Sequence, residues 1–332
     1  MSPAAVPVKP RVFALYYLEP SVVEYARTLF DFTAFNEPGS KNWRSDAEGI
    51  MVRSENITED DVAKFGPGVK YVVKHGVGTD QLAMKALKER GVTVMNTAGV
   101  NAGAVAELAL ALMMTLARNV PAIDRRVRAG HTVDKAAEGA IGIQLTGRTL
   151  GIVGGGNIGY TLAKMFHGAF GGKIYLFDPH LSPASAQKWA DLLPTSHFQK
   201  VEQVDDMLPH IDVLSLHVPL LDSTRDLIGE KQLRAMKNSA ILVNTARGGV
   251  VDEEALTKAL DEGWIAAAGI DAYAIEPPTL AAYPKLVTHD RVLSTPHIGA
   301  ASLDVILLTA MSVIDHLHEA FSGKPLRDVC NP

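Results

Sequence analysis

An α/β architecture with two doubly wound parallel sheets is the fold class this sequence predicts, and three observations carry the prediction. Strand-like and helix-like segments alternate along nearly the whole chain, the pattern of parallel sheets covered by helices on both faces. A glycine-rich turn, GGGNIG at residues 154–159, sits between an apolar strand-type run and a helical pattern. The length, 332 residues, suffices for about two domains.

Taken in order, RVFALYY (residues 11–17), GIMVRS (49–54) and VKYVVKHG (69–76) read as short strands. Helical patterns lie between them and again over residues 80–90, before the strand VTVMN at 92–96. The next helical pattern, AVAELALALMMTLAR at 104–118, is apolar nearly all round and must be buried on most sides. Burial inside its own chain or against a second subunit would both serve. Residues 130–147 read as irregular, wrapping the surface. Strand-helix alternation then resumes with RTLGIV (148–153), KIYLF (173–177), DVLSLHVP (212–219), AILVNTA (240–246), GIDAY (269–273) and RVLSTPH (291–297), before one long helix over residues 303–321.

The turn carries the first functional signal. Gly154 permits a tight turn, Gly156 lets a pyrophosphate approach the backbone, and Gly159 lets the helix pack closely on its strand. The helix N-terminus then offers free N–H groups and partial positive charge to an anion. KIYLF ends in Asp178, 19 residues after Gly159, close to the ~20-residue offset at which an acid meets the adenosine ribose hydroxyls. A carboxylate there repels a 2′-phosphate, so the expected cofactor is NAD rather than NADP. The plainer reading makes Asp178 a strand-end turn residue before Pro179.

Composition narrows the partners. With 32 Lys+Arg against 37 Asp+Glu and no basic run, nucleic acid and anionic membranes are poor candidates. The longest apolar stretch, residues 108–117, is interrupted by Thr115 and too short to span a bilayer. The N-terminal MSPAAVPVKPR lacks the pattern of a signal peptide, and one cysteine, Cys330, excludes an intramolecular disulfide. The expectation is a cytoplasmic protein. No metal-ligand pattern stands out.

In open parallel sheets, ligands bind beyond the carboxyl ends of the strands. Three polar residues fall there: Arg247 after ILVNTA, Glu276 after GIDAY and His297 after RVLSTP. Each alone has a bland explanation, a loop cation, a solvated acid or a capped histidine. Together and in this order they point to one site.

The motifs GGGNIG with Asp178, NTARGGVVDEEAL, DAYAIEPP and TPHIGA, with HGVGTD (75–80) and NTAG (96–99) upstream, make the chain resemble the D-isomer-specific 2-hydroxyacid dehydrogenases. MVRSENIT, KHGVGTD and ARGGVVDEEAL look closest to the 3-phosphoglycerate dehydrogenase branch. The resemblance implies a Rossmann NAD-binding domain, residues 101–297, inserted into a flavodoxin-like substrate-binding domain made of 1–100 and 298–332. The active site would lie in the cleft between them, where hinge closure could exclude water. It also implies a homodimer.

Reduction of a 2-keto acid needs a hydride, a proton and a cation for the carboxylate. The resemblance implies His297 as general acid, or base in the oxidative direction, an imidazole titrating near working pH. Glu276, hydrogen-bonded to it, would favour the imidazolium. Arg247 would grip carboxylate and carbonyl oxygen with paired donors. Backbone N–H groups around Val77 and Gly78 would hold the carboxylate's other side. Asn157 and Ile158 are implied at the pyrophosphate, Val218 near the adenosine, and Thr245, Ala246 and Asp271 around the carboxamide, with Gly299 as a further cofactor-binding residue.

Arg53 and Lys74 fall where phosphoglycerate enzymes carry cations facing the substrate phosphate. They imply a substrate with a second anionic group; the alternative is that both are solvated surface charges. The sequence stops at Pro332, so no C-terminal regulatory domain is expected. Ala98, Gln81 and Tyr273 stand where many members have Pro, Asn and Phe, which leaves the pocket's shape open. The alternatives are a glyoxylate or hydroxypyruvate reductase and, outside enzymes, an NAD-sensing corepressor-like binding protein of the same fold. Glu276 speaks against a formate dehydrogenase, and Val77, where a lysine is expected, against a phosphite dehydrogenase.

Overall fold

A computed structural model describes residues 8–139 and 142–331. The expectation about a signal peptide rests mostly on residues 1–7, which lie outside that range, as do residues 140–141 of the irregular segment and Pro332. The chain divides into two compact units, Met1–Asn101 with Leu303–Pro332, and Ala102–Ser302.

The first unit is built on five parallel strands: β1 (Arg11–Ala14), β2 (Asp31–Thr33), β3 (Gly49–Val52), β4 (Tyr71–Lys74) and β5 (Thr93–Met95). Their order, β2-β1-β3-β4-β5, is that of the flavodoxin-like doubly wound sheet. The central strands are buried on both faces, so they read as unbroken apolar runs rather than as alternation. The helix Leu303–Phe321 returns to this unit because one of its faces is apolar. Val313, Ile314 and Leu317 are fully buried with Val12, Met51 and Val73, each such side chain contributing about 1.5–3 kcal/mol by burial.

The second unit carries seven parallel strands: β6 (Thr149–Val153), β7 (Lys173–Phe177), β8 (Phe198–Val201), β9 (Val213–Leu216), β10 (Ile241–Asn244), β11 (Ala267–Ile270) and β12 (Val292–Ser294). The order β12-β11-β10-β9-β6-β7-β8 is the Rossmann order with a further strand, β12, at one edge. Sequence order reverses between β6 and β9, which places the switch point beside the glycine-rich turn. The apolar helix Ala102–Ala117 is buried within this unit through Ala106, Ala109, Leu112 and Met113, against Leu162, Ala163 and Phe166 of the helix Asn157–Phe170. A Cβ on Gly269 would lie 3.0 Å from the Cβ of Leu112, so the helix packs almost directly on β11. Among the described residues no single helix is long and apolar enough to cross a membrane.

Several boundaries differ from expectation. The helix expected over residues 80–90 runs only Met84–Glu89, because the preceding segment forms a turn and a bridge between Leu82 and Ile57. A short helix, Lys135–Gly139, interrupts the segment expected to be irregular. Strands β2 and β8 carry no clear apolar run, since each is a short, partly exposed sheet edge.

Candidate active site

The glycine-rich turn is fixed by its own chain at two points. Gly154 has φ +99°, and a Cβ there would sit 2.4 Å from the His217 carbonyl oxygen. At Gly159 a Cβ would sit 2.2 Å from the Gly154 carbonyl oxygen, so the helix could not start so close to its strand. Gly156 differs: nothing lies within 4 Å of its Cβ position, so the backbone there is open to the approach of a ligand. It precedes the helix Asn157–Phe170 and supplies no side-chain cap, which leaves the first-turn N–H groups for an anion. Asn157 is exposed at this end and Ile158 half-buried.

Asp178 belongs to the same corner. Its carboxylate accepts hydrogen bonds from the Gly155 N–H at 2.8 Å and the His180 N–H at 2.9 Å, while Trp189 donates its indole N–H to the Gly155 carbonyl at 2.8 Å. Further along the carboxyl edge, His217 Nδ1 and Thr245 Oγ1 are buried and without a hydrogen-bond partner. Such atoms are costly unless a ligand satisfies them. Val218 is half-buried beside His217, and Ala246 is buried. An uncapped helix start, an acid at the end of β7 and orphaned polar atoms along the switch-point edge fit a bound dinucleotide.

Beyond β11 and β12 the structure joins two of the three polar residues. His297 Nδ1 lies 2.9 and 3.0 Å from the two carboxylate oxygens of Glu276. Facing only acceptors, Nδ1 carries the N–H, and Nε2 is the acceptor nitrogen of the neutral ring. Both side chains are about 40% exposed, at 41% for His297 and 38% for Glu276. The Tyr273 N–H also donates to Glu276 Oε1 at 3.2 Å.

His297 occupies the left-handed region, φ +56°, which a non-glycine residue adopts at a cost of roughly 1–3 kcal/mol. Asp271 offsets that cost. Its carbonyl accepts from the His297 N–H at 2.8 Å, and its carboxylate from Thr295 Oγ1, Ile298 N–H and Gly299 N–H at 2.6–3.0 Å. The fully buried carboxylate, expected beside the cofactor's carboxamide, is thus directed into the loop that carries His297. These bonds keep residues 298–302 with the second unit.

Arg247 follows β10 and is half-buried, donating through Nη1 to the Ala246 carbonyl at 2.8 Å. Asn244 Nδ2 binds the carbonyls of Arg247 at 3.0 Å and Ala272 at 3.2 Å, fastening the Arg247 and Glu276 loops to one another. Gly248 completes the junction. A Cβ on it would lie 2.0–2.1 Å from backbone atoms of Tyr273 and Ala274.

The residues expected at the substrate's far end lie in the first unit. Lys74 is buried rather than solvated, 7% exposed, and donates to the Arg53 carbonyl oxygen. Arg53 is half-buried, its N–H held by Glu55 at 2.8 Å. Val77 is exposed, with its carbonyl bound by Asn96 Nδ2 at 3.0 Å, and Gly78 is half-buried. Next to Lys74, His75 pairs through Nδ1 with the Tyr16 hydroxyl at 3.1 Å. Burial, aided by the Arg53 and Lys74 cations, pushes His75 down to about 3, so it is neutral. The sequence reading passed over this pair and over Glu253 and Tyr283, treated below, although all but Tyr283 stand in or beside segments it singled out.

Comparison with known proteins follows the same lines. Residues 110–299 match the family model described as D-isomer specific 2-hydroxyacid dehydrogenase, NAD binding domain. The chain is 37% identical to hydroxypyruvate reductase of Thermotoga maritima, covering 81% of this chain and 83% of that protein. It is 35% identical to D-3-phosphoglycerate dehydrogenase of Archaeoglobus fulgidus over 86% of this chain, and spans about half of that longer relative, 51%. Among solved structures, the holo form of Rhodotorula graminis D-mandelate dehydrogenase superposes with a TM-score of 0.85 at 26% identity, covering 98% of each chain.

Proposed function

The chain belongs to the D-isomer-specific 2-hydroxyacid dehydrogenases, and from that premise we propose that Arg247, Glu276 and His297 carry out its NAD-dependent interconversion of a 2-keto acid and a D-2-hydroxy acid. The observation that carries the assignment is the hydrogen bond from His297 Nδ1 to both Glu276 oxygens. NAD, when bound, supplies or accepts the hydride. With Nδ1–H fixed by Glu276, Nε2 is the atom that gives a proton to the carbonyl oxygen as negative charge develops there, or removes it from the hydroxyl in the reverse direction. The carboxylate also stabilises the cationic ring in which that proton is stored. Arg247 holds the substrate carboxylate through paired N–H donors; within the first unit, the backbone around Val77 and Gly78 is the proposed carboxylate contact. Gly156, Asn157 and Ile158 hold the pyrophosphate in a turn that Gly154 and Gly159 make possible, and Asp178 holds the ribose. Val218, Thr245, Ala246, Asp271 and Gly299 line the remainder.

For the substrate we favour a 2-keto acid with a second anionic group, received by Arg53. Lys74 stands behind Arg53, fixing its carbonyl and adding positive field. Lys74→Ala is therefore expected to raise KM about tenfold for dianionic keto acids, the effect of ~1.4 kcal/mol, and much less for monoanionic ones. Equal effects on both classes would remove the dianion argument. A glyoxylate or hydroxypyruvate reductase is the second reading, favoured by the engagement of the Lys74 ammonium with backbone rather than its presentation as a surface cation.

Oxidation of NADH and NADPH with glyoxylate, hydroxypyruvate, pyruvate, phosphohydroxypyruvate and oxaloacetate tests both readings. Activity is expected with NADH, above that with NADPH because of Asp178. No turnover of any 2-keto acid would leave only the corepressor-like alternative. We also read the protein as a cytoplasmic homodimer, supported by exposed Met114, Val120 and Val127 on two consecutive helices. Sedimentation should give about twice the 35.6 kDa chain mass; a monomer at micromolar concentration would contradict it.

A further inference from the structure

We propose that Glu253 and Tyr283 are positioning residues that set Glu276, and through it His297; the inference rests on the His297–Glu276 assignment above. The loop following Asp271 presents Ala274, Ile275 and Glu276 as three consecutive exposed residues, so side-chain packing does not fix it. Its backbone is fixed instead by side chains. The Tyr273 N–H is held by Glu276 Oε1 at 3.2 Å, the Ala274 N–H by Glu253 Oε1 at 2.8 Å, and the Ile275 N–H by the Tyr283 hydroxyl at 2.7 Å. Water would satisfy exposed N–H groups equally well, so the requirement met here is placement of the loop.

The two buttresses act on adjacent residues. Glu253 grips Ala274 and the Tyr283 hydroxyl grips Ile275, and the Glu253 carboxylate ties the loop to the helix Glu253–Glu262. That helix is anchored at its start by Asp252, whose carboxylate accepts from the N–H groups of Glu254 and Ala255. The Tyr283 ring lies 4.9 Å from the Tyr273 ring, and the Tyr273 hydroxyl meets Ser294 Oγ at 2.5 Å on the strand leading to His297. Burial lifts the Tyr283 hydroxyl to about 12, so it stays protonated. Gly248 braces the same loop from the Arg247 side. The segment bearing Glu276 is therefore held from β10, from the helix after it and from β12.

The test is a double-mutant cycle between Tyr283→Phe and Glu276→Gln, reading kcat and KM for the best keto acid of the panel. Phenylalanine keeps the ring contact with Tyr273 and removes the hydroxyl that holds the Ile275 N–H. Tyr283→Phe is expected to lower kcat about tenfold, displacement of a reacting group by a fraction of an ångström being enough for that, while KM changes less than about twofold. In the Glu276→Gln background the same substitution should cost less than about twofold, because the group it positions has already been lost. An equal cost in both backgrounds overturns the inference and leaves the His297–Glu276 assignment standing. If Glu276→Gln alone leaves kcat unchanged, the assignment and the inference fall together. Should Tyr283→Phe yield no folded protein, Glu253→Ala carries the same cycle, since alanine removes the acceptor that holds the Ala274 N–H.

Discussion

His297→Ala is expected to abolish turnover while NADH binding persists. A positioned acid or base contributes about 10²–10⁴-fold, so kcat should fall at least a hundredfold at every pH. The protein should still fold. The loop is held by the backbone N–H groups of His297, Ile298 and Gly299 on Asp271, none of which involves the imidazole. Alanine must also occupy φ +56°, which adds at most about 1 kcal/mol of local cost relative to histidine. Fluorescence titration with NADH should therefore give a Kd near that of the parent. Near-normal kcat in the variant would refute the assignment of His297, whatever the substrate proves to be.

Gly248→Ala is expected to impair both stability and turnover, and to do so without changing any polar group. The added methyl would lie 2.0–2.1 Å from the Tyr273 carbonyl and the Ala274 nitrogen. These are backbone atoms, so no rotamer change can relieve the clash. Overpacking of this kind costs about 1–3 kcal/mol or more, and the loops bearing Arg247 and Glu276 must part to accommodate it. A separation near 1 Å is enough for roughly a hundredfold loss in kcat/KM, with Tm lowered by several degrees. Gly103→Ala serves as a control, since its Cβ would meet nothing within 4 Å. A Gly248→Ala variant as active and as stable as the parent would show that the two loops need not abut.

The sequence made some levels of this structure legible and hid others, for physical reasons. The parallel sheets were readable because strands buried on both faces form unbroken apolar runs, as in β9, β10 and β11. The strand-end positions of Arg247, Glu276 and His297 followed from those runs. Edge strands β2 and β8 were hidden because hydrogen bonds to a single neighbour define them, and they carry too little apolar surface to leave a pattern. The role of Asp271 was half visible. A carboxylate just past a strand suggests a ligand contact, whereas its four hydrogen-bonding partners in the His297 loop lie 24 to 28 residues away and depend on how the chain turns. Lys74 illustrates the same limit. A lysine at a strand end reads as a substrate cation or a solvated charge, and only the fold shows its ammonium turned to the Arg53 carbonyl. Tyr283 gave no signal, being one aromatic residue in a Pro-rich loop.

Asn244 and Asp271 each stand at the end of one strand and hold the loop of the next. Three loops that begin on separate strands are thereby joined side to side, so disturbance at β10 is felt at β12. The entropy of arranging an imidazole, its carboxylate partner and a guanidinium is then met once, when the chain folds. The same joining removes independence. A variant of Asn244 contacts neither Glu276 nor His297, yet it should resemble a variant of either, so a mutational scan of this edge would find one shared phenotype spread over many positions.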